Sequence, residues 1–564
     1  MLIGIDVGGT FTDGILCSEG RIINSSKHPT KKDDLQDSIF AVLDDLLQDL
    51  TNYEIKSNIT QVVLSTTLVT NLLVTGGGER AALVLIPGPG LNIRQMEFFP
   101  HTYITEGATD FRGRNTEPLN EAQIEEIGKL IVAEGIGKVA VVGKFSQRND
   151  SHERRVEEIL KGRYPQLEVI RGFEVSGQLN FLRRAATTYY TAVTRDKWAS
   201  FAASIKKSIR ERGITSPINI LKADGGTMPL NVSLDCPCET IFSGPAASVI
   251  GALALTMDRY TSVVVDIGGT TTDLALILEG KPLYASRGAV VGGRYTHVRS
   301  FAVRSIALGG DSAVRWVGNK IVIGPDRLGP AACFGGPGAT PTDAINILEE
   351  GKLGSLSLSR KALEEVSRQA GLTVRGLAQT IVSRVNDQLK DSIKEMFKSW
   401  EQEPAYKIWE IIHKRQVKLE RVVGIGAAAG AFIPSLADSL GCQALVHHYS
   451  PVANALGAAV ARPTLTLLLH ADTEQRSYYL NLEGISGRIS SGFQLEDAKE
   501  LARKQLKIIA KKRGIGRYAD RYEYFLEEQF NMIRGWSTVG KLFDVGVQIT
   551  SGIIDEFKGV QMHS

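Results

Sequence analysis

The chain has 564 residues, of which 43% are apolar and 23% are charged, which is the composition of an ordinary globular protein. This length is more than one hydrophobic core normally serves, so two or three domains are expected. The net charge is only +3 and no charged tail or long apolar run occurs, so neither nucleic acid nor a membrane is expected as a partner.

Cysteine usage and the first residues bear on the cellular compartment. The five cysteines lie mostly far apart and are odd in number, which favours reduced thiols over a disulfide framework. The chain opens MLIGIDVGG, without a basic segment or a long apolar run, so no signal peptide is expected. Together these features predict a cytoplasmic protein.

The first predicted element is a β-hairpin in the segment IGIDVGGTFTDGIL, residues 3–16. An apolar strand pattern ends at Asp6, two glycines form the turn, and a second apolar run follows the threonines. Glycines at a turn let successive backbone N–H groups converge on one point, and threonine hydroxyls add donors, a combination that suits a phosphate oxyanion. The candidate phosphate-binding residues are Gly8, Gly9, Thr10 and Thr12.

The same pattern returns in VVVDIGGTTTDLAL, residues 263–276, where the first strand ends at Asp266. One such loop alone is equally consistent with a plain hairpin turn, but two copies predict a duplicated domain that closes on ATP between its halves. Neither copy continues as Gly-Lys-Ser/Thr, so neither is a Walker loop. Asp6 and Asp266 then lie near the phosphates, where they hold Mg²⁺ through water or orient an attacking group. The candidate phosphate-binding residues of this copy are Gly268, Gly269, Thr270 and Thr272.

A third glycine-rich segment, VVGIGAAAG at 422–430, predicts a strand, a loop and a helix. Its small residues would let adenosine lie close to the backbone, and the candidates are Gly424, Gly426 and Ala427. A Rossmann fingerprint is the alternative, but the acidic residue it requires should follow about twenty positions later at a strand end. Asp438 comes too early and falls on the predicted helix.

The order of these loops, phosphate, phosphate, adenosine, resembles the actin, Hsp70 and sugar-kinase superfamily. A closer resemblance, over most of the chain, is to the family of hydantoinase A, oxoprolinase and the acetone carboxylase β-subunit. The motifs that carry it are specific in combination: GIDVGGTFTD at 4–13, FRGRNTEPLNEAQI at 111–124, KFSQRNDSHERRVEEIL at 144–160, SGQLNFLRRAATTYY at 176–190, LKADGGTM at 221–228, FSGPAASVIGA at 242–252, VVDIGGTTTD at 264–273, GPDRLGPAACFGGPGATPTDAINIL at 324–348 and GIGAAAG at 424–430.

The resemblance implies an enzyme that couples ATP cleavage to attack on a carbonyl, either hydrolysis of a cyclic amide or imide or a carboxylation. It implies ATP and Mg²⁺ as cofactors, with the two hairpin loops on the phosphates, Asp6 and Asp266 as catalytic and Mg²⁺-holding residues, and residues 424–428 on the nucleoside. It also implies a small carbonyl compound as substrate, and the expected assembly is a homo-oligomer with a possible second, hydantoinase B-like subunit.

One segment, AVRSIALGGDS at 302–312, departs from the family pattern. Hydrolases of the family tend to carry an Asp and a His before a Gly-Gly-Gly-Ser loop, whereas here these positions are Ala302 and Arg304. This departure leaves two alternatives open, an ATP-switched activator or binding protein and a metabolite kinase. The loop itself is retained and contributes further candidate nucleotide contacts: Gly309, Gly310 and Asp311.

Three weaker candidates complete the list of polar cleft residues. Asp343, in PTDA, either lines the cleft or caps the helix that follows. Lys222 and Asp224 end an apolar strand and are candidates for the cleft wall. The segment SGPAAS at 243–248 predicts a turn followed by a helix whose N–H groups face the cleft.

The predicted fold class is α/β, with duplicated RNase H-like halves of the actin, Hsp70 and hexokinase type around a central nucleotide cleft. Residues 1–178 are predicted as the first half with an α/β extension at 80–175, and residues 179–463 as the second half with the adenosine loop. Residues 464–564 are predicted as a small α+β region.

Overall fold

The computed structural model describes residues 1–31, 34–48, 58–93, 96, 98–402, 418–482 and 484–560. Within these residues, four sheets of four or more strands carry the architecture. No helix in this part of the chain combines the length and the apolar content that crossing a membrane requires.

The first sheet begins with the predicted hairpin. Its strands β1 (Leu2–Val7) and β2 (Phe11–Ser18) pair antiparallel, and β3 (Arg21–Pro29) extends the sheet beyond β2. Helix α1 (Leu35–Leu47) buries its apolar face and leads towards β4 (Gln61–Thr66), which lies parallel to β1. Helix α2 follows at Leu68–Val74.

The next segment forms a separate parallel sheet within the residues 80–175. The two strands at its centre are almost wholly apolar and buried, as expected of parallel strands covered on both faces. The elements are β5 (Ala81–Ile86), β6 (Thr102–Ile104), β7 (Ala108–Thr109), β8 (Asn115–Glu117), α3 (Glu121–Ala133), β9 (Lys138–Gly143), α4 (Ser151–Arg163), β10 (Glu168–Arg171) and α5 (Gly172–Val175), with β10, β9, β5 and β6 side by side.

Two later strands complete the first sheet. The chain continues through α6 (Phe181–Glu211), β11 (Ile218–Leu221), β12 (Thr227–Pro229) and α7 (Ser243–Thr256). Strand β11 lies parallel to β4, so the first sheet has the order β12, β11, β4, β1, β2, β3. The sheet thus draws on both sides of the predicted boundary at 178 and 179, and the division of the chain into domains stays a prediction.

The second half repeats this plan. The order β14, β13, β21, β22 corresponds to β2, β1, β4, β11, with an antiparallel hairpin followed by parallel strands. Its elements are β13 (Ser262–Ile267), β14 (Thr272–Leu278), β15 (Lys281–Pro282), β16 (Val290–Val291), β17 (Arg294–Tyr295), β18 (Val303–Ile306), β19 (Ser312–Val317), β20 (Lys320–Arg327), α8 (Pro341–Leu348), α9 (Leu356–Ala370), α10 (Val374–Glu401), β21 (Arg421–Ile425), α11 (Ala429–Leu440), β22 (Gln443–Val446) and α12 (Ala453–Val460).

Helices α7 and α12 pack against each other and against strands of both sheets. A Cβ at Gly251 would lie 2.2 Å from the Ala453 carbonyl oxygen, and a Cβ at Gly457 would lie 2.1 Å from that of Ala247. Glycine is required at both positions because the two helices approach backbone to backbone. This close crossing places the N-terminal ends of both helices beside the two hairpins.

The remaining residues form a five-stranded sheet with one long helix. The elements are β23 (Thr466–Asp472), β24 (Ser477–Leu480), β25 (Ser486–Arg488), α13 (Leu495–Lys512), β26 (Tyr522–Arg534) and β27 (Ser537–Ile549). The predicted fold class is therefore confirmed: α/β, with two matching halves and a small α+β C-terminal region.

Candidate active site

The two predicted hairpins have the same strand register. Asp6 lies opposite Asp13 in the first hairpin, and Asp266 lies opposite Asp273 in the second. Residues directly opposite each other on antiparallel strands share one face of the sheet. Each hairpin therefore presents two carboxylates side by side.

The turns of the two hairpins are also alike. The Gly8 N–H donates to the Phe11 carbonyl over 3.0 Å, and the Gly268 N–H donates to the Thr271 carbonyl over 3.0 Å. A Cβ at Gly8 would lie 2.9 Å from the Phe11 oxygen, and one at Gly268 would lie 3.1 Å from the Thr271 oxygen. The repeated glycine is explained at both turns by this close approach of the backbone.

Both turns line one cavity of about 300 Å³. The predicted residues that the structure brings together there are Asp6, Gly8, Gly9, Thr10, Asp266, Gly268, Gly269, Thr270, Gly310, Asp311, Gly426 and Ala427.

Two predicted threonines do not reach this cavity. The Thr12 hydroxyl is buried against the Thr30 hydroxyl at 3.0 Å, and the Thr272 hydroxyl donates to the Leu308 carbonyl over 2.7 Å. Both residues are the first or second residue of a strand, and their hydroxyls bond to neighbouring backbone and side chains behind the turn. The threonines that line the cavity are Thr10 and Thr270, and phosphate contact at Thr12 and Thr272 stays a prediction that this arrangement does not favour.

An amide joins the aspartates of the two halves. The Asn454 Nδ2 atom, at the start of α12, lies 3.0 Å from Asp266 Oδ2 and 3.4 Å from Asp6 Oδ2. The Ser248 hydroxyl on α7 also donates to Asp266 Oδ2, over 2.5 Å. By contrast, Asp6 Oδ1 and Asn454 Oδ1 are buried without a hydrogen-bond partner among the described residues.

The carboxylates of the cavity are crowded. Burial raises the pKa of Asp6 to about 7, and the charges of Asp13 and Asp266 add to the rise. Burial together with the charge of Asp266 also raises the pKa of Asp273 to about 7. Burial raises the pKa of Asp13, although Lys27 opposes the rise from 2.5 Å. Such a site favours a bound cation.

The loop between β18 and β19 closes over the second hairpin. The Gly310 and Asp311 N–H groups donate to the carbonyls of Gly268 and Gly269 over 2.9 and 2.8 Å. Gly309 lies behind the cavity wall, where a Cβ would meet the Gly269 backbone at 2.6 Å. Gly309 is therefore a packing residue of the loop, whereas its two neighbours line the cavity.

The third predicted loop forms a further part of the cavity wall, beside the second hairpin. Gly426 has a φ of +90°, and both it and Ala427 line the cavity together with Phe334 and Leu353. Gly424 instead lies inside strand β21, where a Cβ would meet the Ile433 side chain at 2.4 Å. Gly424 thus packs against helix α11, and its predicted nucleoside contact stays a prediction, whereas Phe334 and Leu353 give the cavity an apolar surface.

Asp343, one of the weaker candidates, lies away from the cleft. Its carboxylate is fully buried and accepts from the N–H groups of Ala332 and Cys333 and from the hydroxyls of Thr340 and Ser359. It stabilises the loop before α8 and does not line the cavity.

Lys222 and Asp224 also lie away from the cleft. Their ion pair, at 3.2 Å, lines a different cavity, and the Lys222 Nζ atom is also 3.3 Å from Glu239. The segment at 243–248 does reach the cleft, but as the first turn of α7, because the helix begins at Ser243 before Gly244 and Pro245.

Several residues of the site were not singled out from the sequence. Asp13 and Asp273 belong to the repeated pattern, so their equivalent positions are a signal that could have identified them. Lys27 had no comparable signal, because it comes from the neighbouring strand β3. Asn454 is the single amide in the apolar segment ANALGAAV. An isolated polar residue in a buried helix is informative, because it indicates a specific polar contact.

A second cavity, of about 870 Å³, opens beside the first. The two share a wall that includes Gly9, Thr67, Thr270 and Asp273. We call this the side cavity. The residues that depart from the family pattern, Ala302 and Arg304, line it.

Two family models match the chain. One, described as the hydantoinase/oxoprolinase N-terminal region, covers residues 2–163, and the other, described as hydantoinase/oxoprolinase, covers residues 184–466. The chain therefore belongs to the hydantoinase/oxoprolinase family, which confirms the resemblance carried by its motifs.

Curated proteins similar to this chain include a caprolactamase subunit and a 5-oxoprolinase. The chain is 25% identical over 495 residues to caprolactamase subunit alpha from Pseudomonas jessenii, covering 79% of this chain and 68% of that one. It is 24% identical over 595 residues to 5-oxoprolinase from Saccharomyces cerevisiae, covering 88% and 44%. The chain spans about half the length of several curated relatives that it matches.

Two solved structures share the fold. A nucleotide-free structure of acetone carboxylase superposes with a TM-score of 0.72 at 18% identity, covering 98% of this chain and 88% of that one. The ATP-dependent caprolactamase from Pseudomonas jessenii gives a TM-score of 0.71 at 21% identity, covering 100% and 89%.

Proposed function

We propose that this chain binds ATP between its two hairpins and uses it to activate the carbonyl group of a small molecule. The observation that carries this proposal is the meeting of two copies of one hairpin in one cavity, with Asn454 bridging Asp6 and Asp266. Family membership supports it, as do the names of the relatives, among them an ATP-dependent caprolactamase, a 5-oxoprolinase and an acetone carboxylase.

In this proposal each turn holds phosphate oxygens from one side. The Gly8 and Gly268 N–H groups close the two turns, so the backbone donors proposed for phosphate are the N–H groups of Gly9 and Gly269. Thr10 and Thr270 add hydroxyl donors at the cavity wall. The nucleoside lies against Gly426 and Ala427, with Phe334 as an apolar surface for the base.

The residues present also fit a divalent cation. Asp6 Oδ1 and Asn454 Oδ1 are buried oxygen acceptors without a partner among the described residues, and hard cations such as Mg²⁺ take oxygen ligands. Asp6 and Asp266 are the proposed residues that hold Mg²⁺, directly or through water. When bound, the ion neutralises charge on the phosphates.

The two aspartates are proposed to have different roles. Asp266 Oδ2 already accepts from Ser248 and Asn454, so we assign to Asp266 the holding of the site's geometry. Asp6 keeps one oxygen without a protein partner, so we assign to Asp6 the orientation of the attacking group. Activation then consists of transferring the γ-phosphoryl group of ATP to the carbonyl oxygen, with ADP as the leaving group of this step. When a nucleophile then attacks the carbonyl carbon, the bond between that carbon and the phosphorylated oxygen breaks and phosphate leaves.

The assembly and compartment belong to the proposal as well. Relatives are named as subunits, caprolactamase subunit alpha and acetone carboxylase beta subunit among them. We propose that the chain binds ATP and its carbonyl substrate by itself, that a hydantoinase B-like subunit is a further partner, that the chain forms homo-oligomers, and that it works in the cytoplasm.

Phosphate release from ATP by the purified chain tests the function. It should be measured with and without Mg²⁺ and with a panel of hydantoins, 5-oxoproline, lactams, ketones and bicarbonate. The proposal expects one class of carbonyl compound to raise the rate at least about tenfold, and omission of Mg²⁺ to abolish the rise. A stable phosphorylated product without free phosphate would instead indicate a metabolite kinase. Stimulation by a protein and by no carbonyl compound would indicate an ATP-switched activator.

A further inference from the structure

The side cavity carries an unusual distribution of charge. Among the described residues, two arginines, Arg287 and Arg304, line it together with one acidic residue, Asp273, which belongs to the wall shared with the nucleotide cleft. Away from that shared wall, the charged lining of the cavity is therefore positive.

The two arginines differ in their partners. Arg304 forms an ion pair with Glu395 of helix α10, which neutralises part of its charge. Arg287 is exposed and lies over the Tyr295 ring, with its guanidinium carbon 5.7 Å from the ring centroid. Among the described residues, Arg287 has no carboxylate within ion-pair distance. Its planar fork of N–H donors is therefore available to an anion.

The remaining lining suits a small organic molecule. Apolar and aromatic side chains make up most of it, including Leu283, Phe301, Met396 and Trp400, and Asn71 adds a polar amide. Ligand cavities are commonly apolar with a few convergent polar groups that fix the orientation of the ligand. In the side cavity, one part of the lining is the wall shared with the nucleotide cleft, and the Arg287 guanidinium belongs to another part.

We propose that the side cavity binds the carbonyl substrate, and that this substrate carries a carboxylate held by Arg287. The inference rests on the proposed function, because the carbonyl must lie at the shared wall next to the bound nucleotide. Arg304, already paired with Glu395, contributes to the positive potential of the cavity. The substrate class is therefore a carboxylate-bearing cyclic amide, as opposed to a neutral lactam or ketone.

Matched pairs of probes test this inference. 5-Oxoproline and 2-pyrrolidinone differ by one carboxylate, as do hydantoin-5-acetate and 5-methylhydantoin. Their dissociation constants for the full chain should be measured by calorimetry, in the presence and absence of a non-hydrolysable ATP analogue. The variants are Arg287→Ala and Arg287→Lys, with Arg315→Ala as the control, because Arg315 pairs with Asp326 on the strands β19 and β20, away from the cavity.

We expect at least one carboxylate-bearing probe to bind at least about tenfold more tightly than its neutral partner, which is the scale of a charge-assisted hydrogen bond. Arg287→Ala should remove most of this preference, Arg287→Lys should keep part of it, and Arg315→Ala should leave it unchanged. Equal binding within both pairs, no binding of either carboxylate-bearing probe, or a preference unaffected by Arg287→Ala would overturn the inference.

The same titrations separate this inference from the proposed function. Binding of the ATP analogue without any preference for the carboxylate would overturn the inference alone. A carboxylate preference that depends on Arg287, in a chain that does not bind the analogue, would support the anion site and contradict the nucleotide proposal.

Discussion

The hairpin at residues 3–16 and its copy at 263–276 share one register and one turn, but their surroundings differ. Asp13 of the first hairpin pairs with Lys27 at 2.5 Å, whereas the charge that acts on Asp273 of the second is that of another carboxylate, Asp266. At Asp6 and Asp266, where the first strand of each hairpin ends, it is the second hairpin that has more hydrogen-bond partners. Asp266 accepts from two donors, while Asp6 keeps a buried oxygen without a partner among the described residues.

The two turns also differ in how closely other residues cover them. A Cβ at Gly9 would meet nothing within 4 Å, whereas a Cβ at Gly269 would lie 2.8 Å from Asp311 Oδ2. The second turn is covered by the loop at 309–311, and Arg327 in turn holds Asp311 at 2.9 Å. The two copies have therefore become one fixed hairpin and one hairpin with open groups, and this difference is the reason that we propose Asp6 as the residue that orients the attacking group.

The largest expected effect is on the aspartates. Asp6→Asn should lower ATP turnover at least about a hundredfold, because it removes a positioned ionisable group. Asp266→Asn should lower turnover by about tenfold, because its main contacts are structural hydrogen bonds. Initial rates of phosphate release check both. Equal losses in the two variants would break the distinction between the hairpins.

The next expected effect is a change in the free energy of unfolding when a glycine of the site is replaced by alanine. Gly309→Ala should lower the free energy of unfolding by about 1–3 kcal/mol, because its Cβ would meet the Gly269 backbone at 2.6 Å. Gly9→Ala should change it by less than about 0.5 kcal/mol, since its Cβ would meet open space. Urea denaturation monitored by circular dichroism measures both. A Gly9→Ala variant as unstable as Gly309→Ala would show that the first turn is also fixed.

Asn454 connects the two hairpins, so its removal should affect both. Asn454→Leu keeps a similar size but removes the amide between Asp6 and Asp266, and we expect ATP affinity to fall about tenfold. Calorimetric titration with ATP and Mg²⁺ gives the affinity, and circular dichroism verifies that the variant is folded. A folded variant with unchanged affinity would contradict the bridging role.

The smallest effect is expected at Lys27, which has an ion pair in the first hairpin only. Its side chain is 35% exposed, so solvent and salt screen its charge. Lys27→Met should therefore weaken ATP binding no more than about fivefold, and the loss should shrink as the salt concentration rises. The same titration at low and high salt checks this. A loss that does not depend on salt would argue against an electrostatic role.

Much of the fold follows from local sequence patterns. Apolar runs ending in Asp-x-Gly-Gly predicted both hairpins. The buried face of α10 also has a local pattern, the four-residue spacing of Leu377, Ile381, Val385, Leu389 and Ile393. These features depend on residues close in sequence. The strand-to-helix loop at 425–428 was predictable for the same reason.

Several features of the site depend on more than local sequence. Thr12 and Thr272 lie where the chain enters a strand, and strand geometry turned their hydroxyls away from the turn. Asn454 contacts Asp6 across 448 positions of sequence, through a helix crossing that depends on Gly251 and Gly457, and no local pattern encodes such a contact. The side cavity likewise depends on how β18 and α10 pack together.

Hydrogen–deuterium exchange with and without ATP and Mg²⁺ is the sharpest test of whether the two hairpins bind one nucleotide, because it reports on the backbone N–H groups of both turns in one experiment. We expect the nucleotide to slow exchange at residues 8–12 and at residues 268–272 together. The larger change should occur at the first turn, because it has fewer protein contacts. Slower exchange at one turn only, or at neither, would contradict the claim that the two hairpins bind one nucleotide between them.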